Sequence, residues 1–156
     1  MINKKDLQIL ANLRNDARMN LTKMSRSTGI PVSTIFDRIK SYRNDLITKS
    51  TALVDFEKLG YNTRAKIILK VGREDKAELQ KYLMISENIN SIYKINNGYD
   101  FMIETIFQNI KEMEEFLEKL QDRFKIEQID YFYIIDDLKR EAFMTDTKFF
   151  STPTTP

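Results

Sequence analysis

Leu7, Leu10 and Leu13 recur at helical spacing within residues 6–16, with Ile9 beside them and Lys and Arg elsewhere, which predicts a first helix. Asn20 is placed to cap a second short helix carrying Leu21 and Met24, and Gly29 supplies its stop. Ile30-Pro31 makes a turn, and a third helix is expected from Val32 or Ser33. In it Ile35, Ile39, Tyr42 and Leu46 fall within about 60° of one another at about 100° per residue. The opposite face holds Ser33, Thr34, Asp37, Lys40, Ser41 and Asn44, with Arg38 and Arg43 on its flanks and Phe36 at its edge. The β-branched stretch 46–54 then predicts a short two-stranded wing, and residues 55–61 a turn or short helix ending at Gly60.

The remainder changes period. Residues 64–71 alternate, with Ala65, Ile67, Leu69 and Val71 on one face. Asp75 is placed to cap a helix with Leu79, Tyr82 and Leu83, ending near Ser86. Strands are expected over 89–96 and 99–107, joined by Asn97-Gly98, a strong hairpin signal. Asn109 with Glu112 reads as a capping box opening a helix with Met113, Phe116, Leu117, Leu120 and Phe124, and residues 127–135 give a last strand. The order β-α-β-β-α-β is the split-βαβ or ferredoxin-like plan. The fold class is therefore α+β.

Two helices cover one face of a four-stranded sheet. One strand set holds Ala65, Ile67, Leu69, Tyr93, Ile95, Phe101, Ile103, Tyr131 and Tyr133; the other holds Ile68, Ile92, Met102, Ile106, Phe132 and Ile134. Whichever set meets the helices, large apolar side chains remain opposite and need a cover. A second copy pairing through the same face, as an isologous homodimer, is the simplest one, and a C-terminal segment folding back is the alternative.

Charge is unevenly spread along this pattern. Residues 1–60 carry eleven Lys and Arg against six Asp and Glu, while the rest has a small acidic excess that leaves the 156-residue chain at +2. A basic helical third joined to a mildly acidic remainder suits a polyanion-binding module fused to one with another task. With no His and no Cys, imidazole acid–base chemistry, thiolate catalysis and thiolate zinc sites are excluded. An enzyme would have to use a carboxylate pair such as Asp136-Asp137 with a bound metal, but adjacent acids of this kind are usually solvated and no second ligand cluster is evident. The expectation is no enzyme, no cofactor and no metal. No apolar run approaches the roughly 20 residues of a membrane span, and the first residues lack a signal-peptide core, so the cytoplasm is expected.

Helix, short turn and an exposed basic helix make the helix-turn-helix plan, though a small bundle with a solvated charged face fits the same pattern. If the third helix meets double-stranded DNA, Ser33, Thr34, Asp37, Lys40 and Ser41 are the candidates for base edges, and Lys23, Arg26, Arg38 and Arg43 for phosphates. Phe36 is placed either to touch a thymine methyl or to serve as a core-edge aromatic.

The run 6–10, Asp16-Ala17-Arg18, Gly29-Ile30, Arg38-Ile39, Leu46-Ile47 and residues 52–60 together resemble the DNA-binding half of the Lrp/AsnC, or feast/famine, transcription regulators. Three positions depart from that pattern. No Gly precedes Leu46, Lys49 stands where a wing Gly is common, and Tyr42 replaces a usual Leu. Residues 62–139 are similar to the family's effector-sensing (RAM/ACT-like) half. The resemblance implies a winged helix-turn-helix domain over 1–47, a wing and hinge over 48–62, a βαββαβ effector-binding and oligomerisation domain over 63–139, and a partly disordered tail over 140–156. It also implies homodimers that assemble into tetramers or octamers, and an amino-acid effector near the turn before the third strand. Gly98, Tyr99 and Asp100 are the effector candidates by that resemblance; a plain hairpin turn with a solvated Asp is the other reading. A competing function follows from topology. The same strand order serves RNA-binding RRM domains, and Gly98, Tyr99 and Phe101 match part of their RNP1 pattern.

Overall fold

A computed structural model describes residues 2–146. They form two compact units: the first comprises the chain up to Leu53 together with the segment from Leu138 onward, the second Val54–Asp137.

The first unit is helical. α1 spans Lys4–Asn15, α2 Leu21–Thr28 and α3 Val32–Asp45. Asn3 and Asp6 form a reciprocal capping box on α1, Asn20 accepts from the Thr22 amide at 2.7 Å, and Gly29 ends α2 at φ +71°, a left-handed conformation that glycine adopts without a Cβ penalty. Ile9, Met24, Ile30, Ile35, Ile39 and Tyr42 make the core. Two expectations shift here. In α1 the fully buried residues are Ile9 and Ala11, with Asp6 and Asn12 buried near them, while Leu7, Leu10 and Leu13 are half-buried. At the end of α3, Leu46 is 42% exposed and Ile47 packs on the core instead. The Tyr42 carbonyl accepts from both the Leu46 and Ile47 amides, so the chain leaves the helix one residue before the stripe would have placed Leu46 inward.

The wing does not form. Residues 47–55 carry no strand, and 48–54 are exposed throughout. An isolated two-stranded ribbon is marginal in water, and Thr48-Lys49-Ser50-Thr51 contains no residue that favours the left-handed turn it needs. The segment expected as a separate tail instead packs with the helical unit. Arg14 on α1 donates to the carbonyls of Phe143 and Glu141 at 3.1 Å each and pairs with the Glu141 carboxylate at 3.3 Å. The Phe143 ring stays 80% exposed, so the anchoring is polar rather than apolar. The rest of the tail expected over 140–156, from residue 147 on, lies outside the described residues.

In the second unit a 3-10 turn, Glu57–Leu59, precedes β1 Thr63–Val71, α4 Lys76–Ile85, β2 Ile89–Lys94, β3 Phe101–Phe107, α5 Ile110–Arg123 and β4 Ile126–Tyr133. The strands pair antiparallel in the order β2-β3-β1-β4, as the βαββαβ plan requires. Buried and half-buried residues alternate strictly along β1. Its buried face, with Phe101, Ile103 and Phe107 of β3, packs on Leu79 and Leu83 of α4 and Met113, Phe116, Leu117 and Leu120 of α5. The rings of Phe107 and Phe116 lie 5.5 Å apart. Asn109 accepts from the Glu112 amide at 3.0 Å, as the capping box predicts. Asp75 does not cap through its side chain; its carboxylate accepts from the Lys125 amide at 2.7 Å.

β2 is out of phase with its expected faces. Ile92 is paired with Ile103 and packs on the helix-covered core, whereas Tyr93 is paired with Met102 on the opposite face. The register shifts between Ile89 and Ser91, and such an extra residue turns every later side chain over. The open face therefore carries a row Tyr93, Met102, Ile68, Asp130 and a second row with Glu104, Lys66, Phe132. Tyr93 is 49% and Phe132 63% exposed. Among the described residues no helix is long and apolar enough to cross a membrane.

Candidate nucleic-acid interface and the effector-side hairpin

α3 is amphipathic because its buried residues are three and four apart. Ile35, Ile39 and Tyr42 enter the core. Ser33, Asp37, Lys40, Ser41, Arg43 and Asn44 are exposed, and Thr34 is half-buried. Lys23 and Arg26 of α2 are exposed as well. Phe36 is 56% exposed, so it is no core-edge residue. The exposed side chains of α3 are mainly polar, with Val32 and Phe36 the apolar exceptions, and Lys23 and Arg26 add exposed positive charge on α2.

Arg38 behaves differently from the other cations. Its guanidinium pairs with the Asp6 carboxylate, which is 1% exposed. The Tyr42 hydroxyl donates to the same oxygen, Oδ1, and the Asn3 amide donates to Oδ2 at 2.7 Å. Burial works against the ionised carboxyl, but the Tyr42 hydroxyl, the Asn3 amide and Arg38 outweigh it and hold Asp6 below its ordinary pKa. Burial first, and then the neighbouring Asp6, push Tyr42 up to about 12. This knot fastens α1 to α3. It reassigns Arg38 from the phosphate contacts expected of it to a structural partner of Asp6, because a buried carboxylate needs a cation more than an exposed arginine needs a phosphate. Apolar periodicity misses Asp6, since it tracks hydrophobic positions only. The faint signal was Tyr42 standing where a Leu is usual, a polar tip added to a core position.

The three effector candidates do not converge. Gly98 sits in the turn with Asn97, at φ +85° and +63°, and its surroundings are open. Tyr99 turns to the uncovered sheet face, where its hydroxyl donates to Asp130 at 2.6 Å and accepts from Gln128 at 2.6 Å. Asp130 holds that hydroxyl above its ordinary pKa. Asp100 turns the other way. Its carboxylate takes the Lys76 ammonium at the start of α4 and the Val71 amide at 3.0 Å; the Lys76 hydrogen bond, then the Val71 amide, lower its pKa. A groove of about 390 Å³ between α4 and β2, lined by Leu83, Met84, Ile92, Lys94 and Phe101 among others, reaches none of the three.

A winged helix-turn-helix DNA-binding family matches residues 2–45. The HTH-type transcriptional regulator FL11 of Pyrococcus abyssi is 35% identical over 114 residues, which span 72% of this chain and 76% of that protein. B. subtilis LrpC shares the fold at a TM-score of 0.80 and 20% identity, over 89% of this chain and 98% of its own. The chain belongs to the Lrp/AsnC family of transcription regulators. The transcriptional regulator NMB0573 of Neisseria meningitidis, solved as its complex with L-Met, has the same fold at a TM-score of 0.82 and 16% identity, over 90% of this chain and 94% of its own.

In this Lrp/AsnC regulator the helix-turn-helix is the DNA-binding element. The RNA-binding alternative has no support, and the structure gives a physical reason. Phe101, the RNP1-like aromatic, is fully buried against the helices, so no base has access to it for stacking.

Proposed function

We propose that this Lrp/AsnC regulator is a cytoplasmic, sequence-specific DNA-binding protein that works as a homodimer or higher assembly and answers to an amino-acid effector. Base edges are read by Ser33, Thr34, Asp37, Lys40 and Ser41, and phosphates are held by Lys23, Arg26 and Arg43. The observation that carries this reading is the outer stripe of α3. Its polar side chains are exposed opposite Ile35, Ile39 and Tyr42, on the second helix of a helix-turn-helix, where recognition residues belong. Pairing through the open sheet face supplies the second α3, so that two copies meet major grooves about one helical turn apart. Tyr93, Met102, Ile68 and Phe132 on that face favour a second copy as the cover.

Support for an effector comes from the L-Met bound by the Neisseria regulator of like fold. In this chain the open backbone at Gly98 is the accessible element of the hairpin, because an amine seeking Asp100 must displace Lys76.

The two classes of contact separate in binding measurements. Lys23→Ala and Arg43→Ala weaken all duplexes alike and each lower the slope of log affinity against log salt by about one. Lys40→Ala instead lowers the ratio of specific to random binding by about tenfold; an unchanged ratio removes Lys40 from the base-reading set. Selection of bound fragments from random duplex DNA at near-physiological salt, with and without a panel of amino acids, tests the whole reading. A pseudo-palindromic motif that shifts with one amino acid is expected. Failure to enrich any motif overturns sequence-specific binding, and a motif indifferent to every amino acid removes the effector.

A further inference from the structure

Asp37 is an anomaly on a surface that is to meet a polyanion. It lies in the second turn of α3, beyond the first turn where the helix dipole favours an acid. It is exposed. Lys40, three residues on, and Ser41, four residues on, are both within reach on the same face. Yet among the described residues Asp37 makes no hydrogen bond to Ser41 and no ion pair with Lys40, whereas Asp6, Asp55, Asp100 and Asp137 each form an ion pair. At about 100° per residue Ser33, Asp37, Lys40 and Asn44 fall within about 60° of one another, centred opposite Ile35, Ile39 and Tyr42. Asp37 is therefore in the middle of the outward stripe.

A carboxylate at that place is repelled by every phosphate it approaches. It is also repelled by guanine, whose major-groove edge offers only acceptors. What relieves it is a base-edge donor. Two bases present an amino group in the major groove, cytosine at N4 and adenine at N6. The adenine amino group stands beside the N7 lone pair, which an acceptor-only carboxylate avoids, whereas the cytosine edge presents its amino group without an adjoining acceptor. We infer that Asp37 is a specificity-determining residue that accepts a hydrogen bond from cytosine N4 and so fixes a cytosine at one position of each half-site. This rests on the proposed docking of α3 in the major groove and names the base that one of its residues selects. Asp37 thus acts against non-cognate DNA as well as for the cognate site, since its charge is uncompensated wherever that cytosine is missing.

An isosteric change tests this. Asp37→Asn keeps the shape of the side chain but sets a donor beside its acceptor, the pair that adenine N7 and N6 satisfy together. Fragment selection is run in parallel on the full-length wild type, Asp37→Asn and Asp37→Ala, with thermal melts to confirm that all three are folded; because Asp37 has no partner among the described residues, the melts are expected to coincide. The wild type should favour cytosine at one half-site position by about tenfold, Asp37→Asn should move that position to adenine, and Asp37→Ala should level it. Random duplexes should bind both variants as tightly as the wild type or more tightly. A wild-type motif without that cytosine, or the same base selected by all three proteins, overturns the assignment while leaving α3 as the reading helix. A wild type that enriches no motif counts instead against the docking of α3 itself.

Discussion

Asp6→Ala is expected to unfold the helical unit at temperatures that leave the sheet unit intact. The substitution removes a carboxylate that is 1% exposed and leaves the Arg38 guanidinium, the Tyr42 hydroxyl and the Asn3 amide without their acceptor. Breaking a buried pair by deleting one member costs about 3–5 kcal/mol, and a core as small as this one supplies no more than about that. Circular dichroism should show the helical transition lowered by at least about 10 °C, with the β-sheet signal unmoved. An Asp6→Ala protein that melts like the wild type would show that the knot contributes nothing.

The same knot makes stability depend on pH at both ends of the scale. Asp6 titrates below its ordinary value in the folded chain, so its contribution is present above the unfolded carboxylate range of about pH 4 and is lost as pH falls through the folded value. Tyr42 is raised to about 12. Its contribution is therefore complete below about pH 10 and lost as pH climbs from there towards 12. Tyr42→Phe should abolish the alkaline loss and keep the acid one, which titration monitored by helicity distinguishes.

Phe132→Asp is expected to convert the protein to single protomers and to cripple its grip on an operator. Phe132 lies on the open face of β4 opposite Lys66 and is 63% exposed, so the lone protomer loses no core contact by the change. In the proposed pairing the residue counts twice. Withdrawing about 2 kcal/mol of apolar burial per copy raises the dissociation constant roughly a thousandfold, and the new carboxylates desolvated at the interface add to that. Sedimentation at micromolar concentration should give the mass of one chain. Affinity for a two-half-site operator should drop by about 100-fold or more as the second α3 is lost from the same molecule. A Phe132→Asp protein that sediments as an unaltered dimer would place the interface elsewhere.

Much of this molecule was legible along the chain because the relevant physics is local. Gly29 and Asn97-Gly98 occupy left-handed turns, Asn20 and Asn109 cap helices through their side chains, and the apolar spacing of α5 maps onto its buried face residue by residue. The faces of β2 were not legible. One irregular position between Ile89 and Ser91 inverts the alternation, and only pairing with β3 determines where that happens. The wing fails for the opposite reason: β-branched composition favours strands, but residues 46–54 find no partner strand among the described residues.

By itself, the sequence determined the two-part α+β plan, the order of its elements and the polar outer stripe of α3, because capping, turn chemistry and side-chain period act over a few neighbouring residues. Only the tertiary structure decided which polar groups are already engaged. Arg38 is committed to Asp6 across 32 positions, Asp100 to Lys76 across 24, and Arg14 to Glu141 across 127. Charges that far apart in sequence meet only after the helices and strands have packed, and that packing is what separates the side chains left free to touch DNA from those spent on holding the fold.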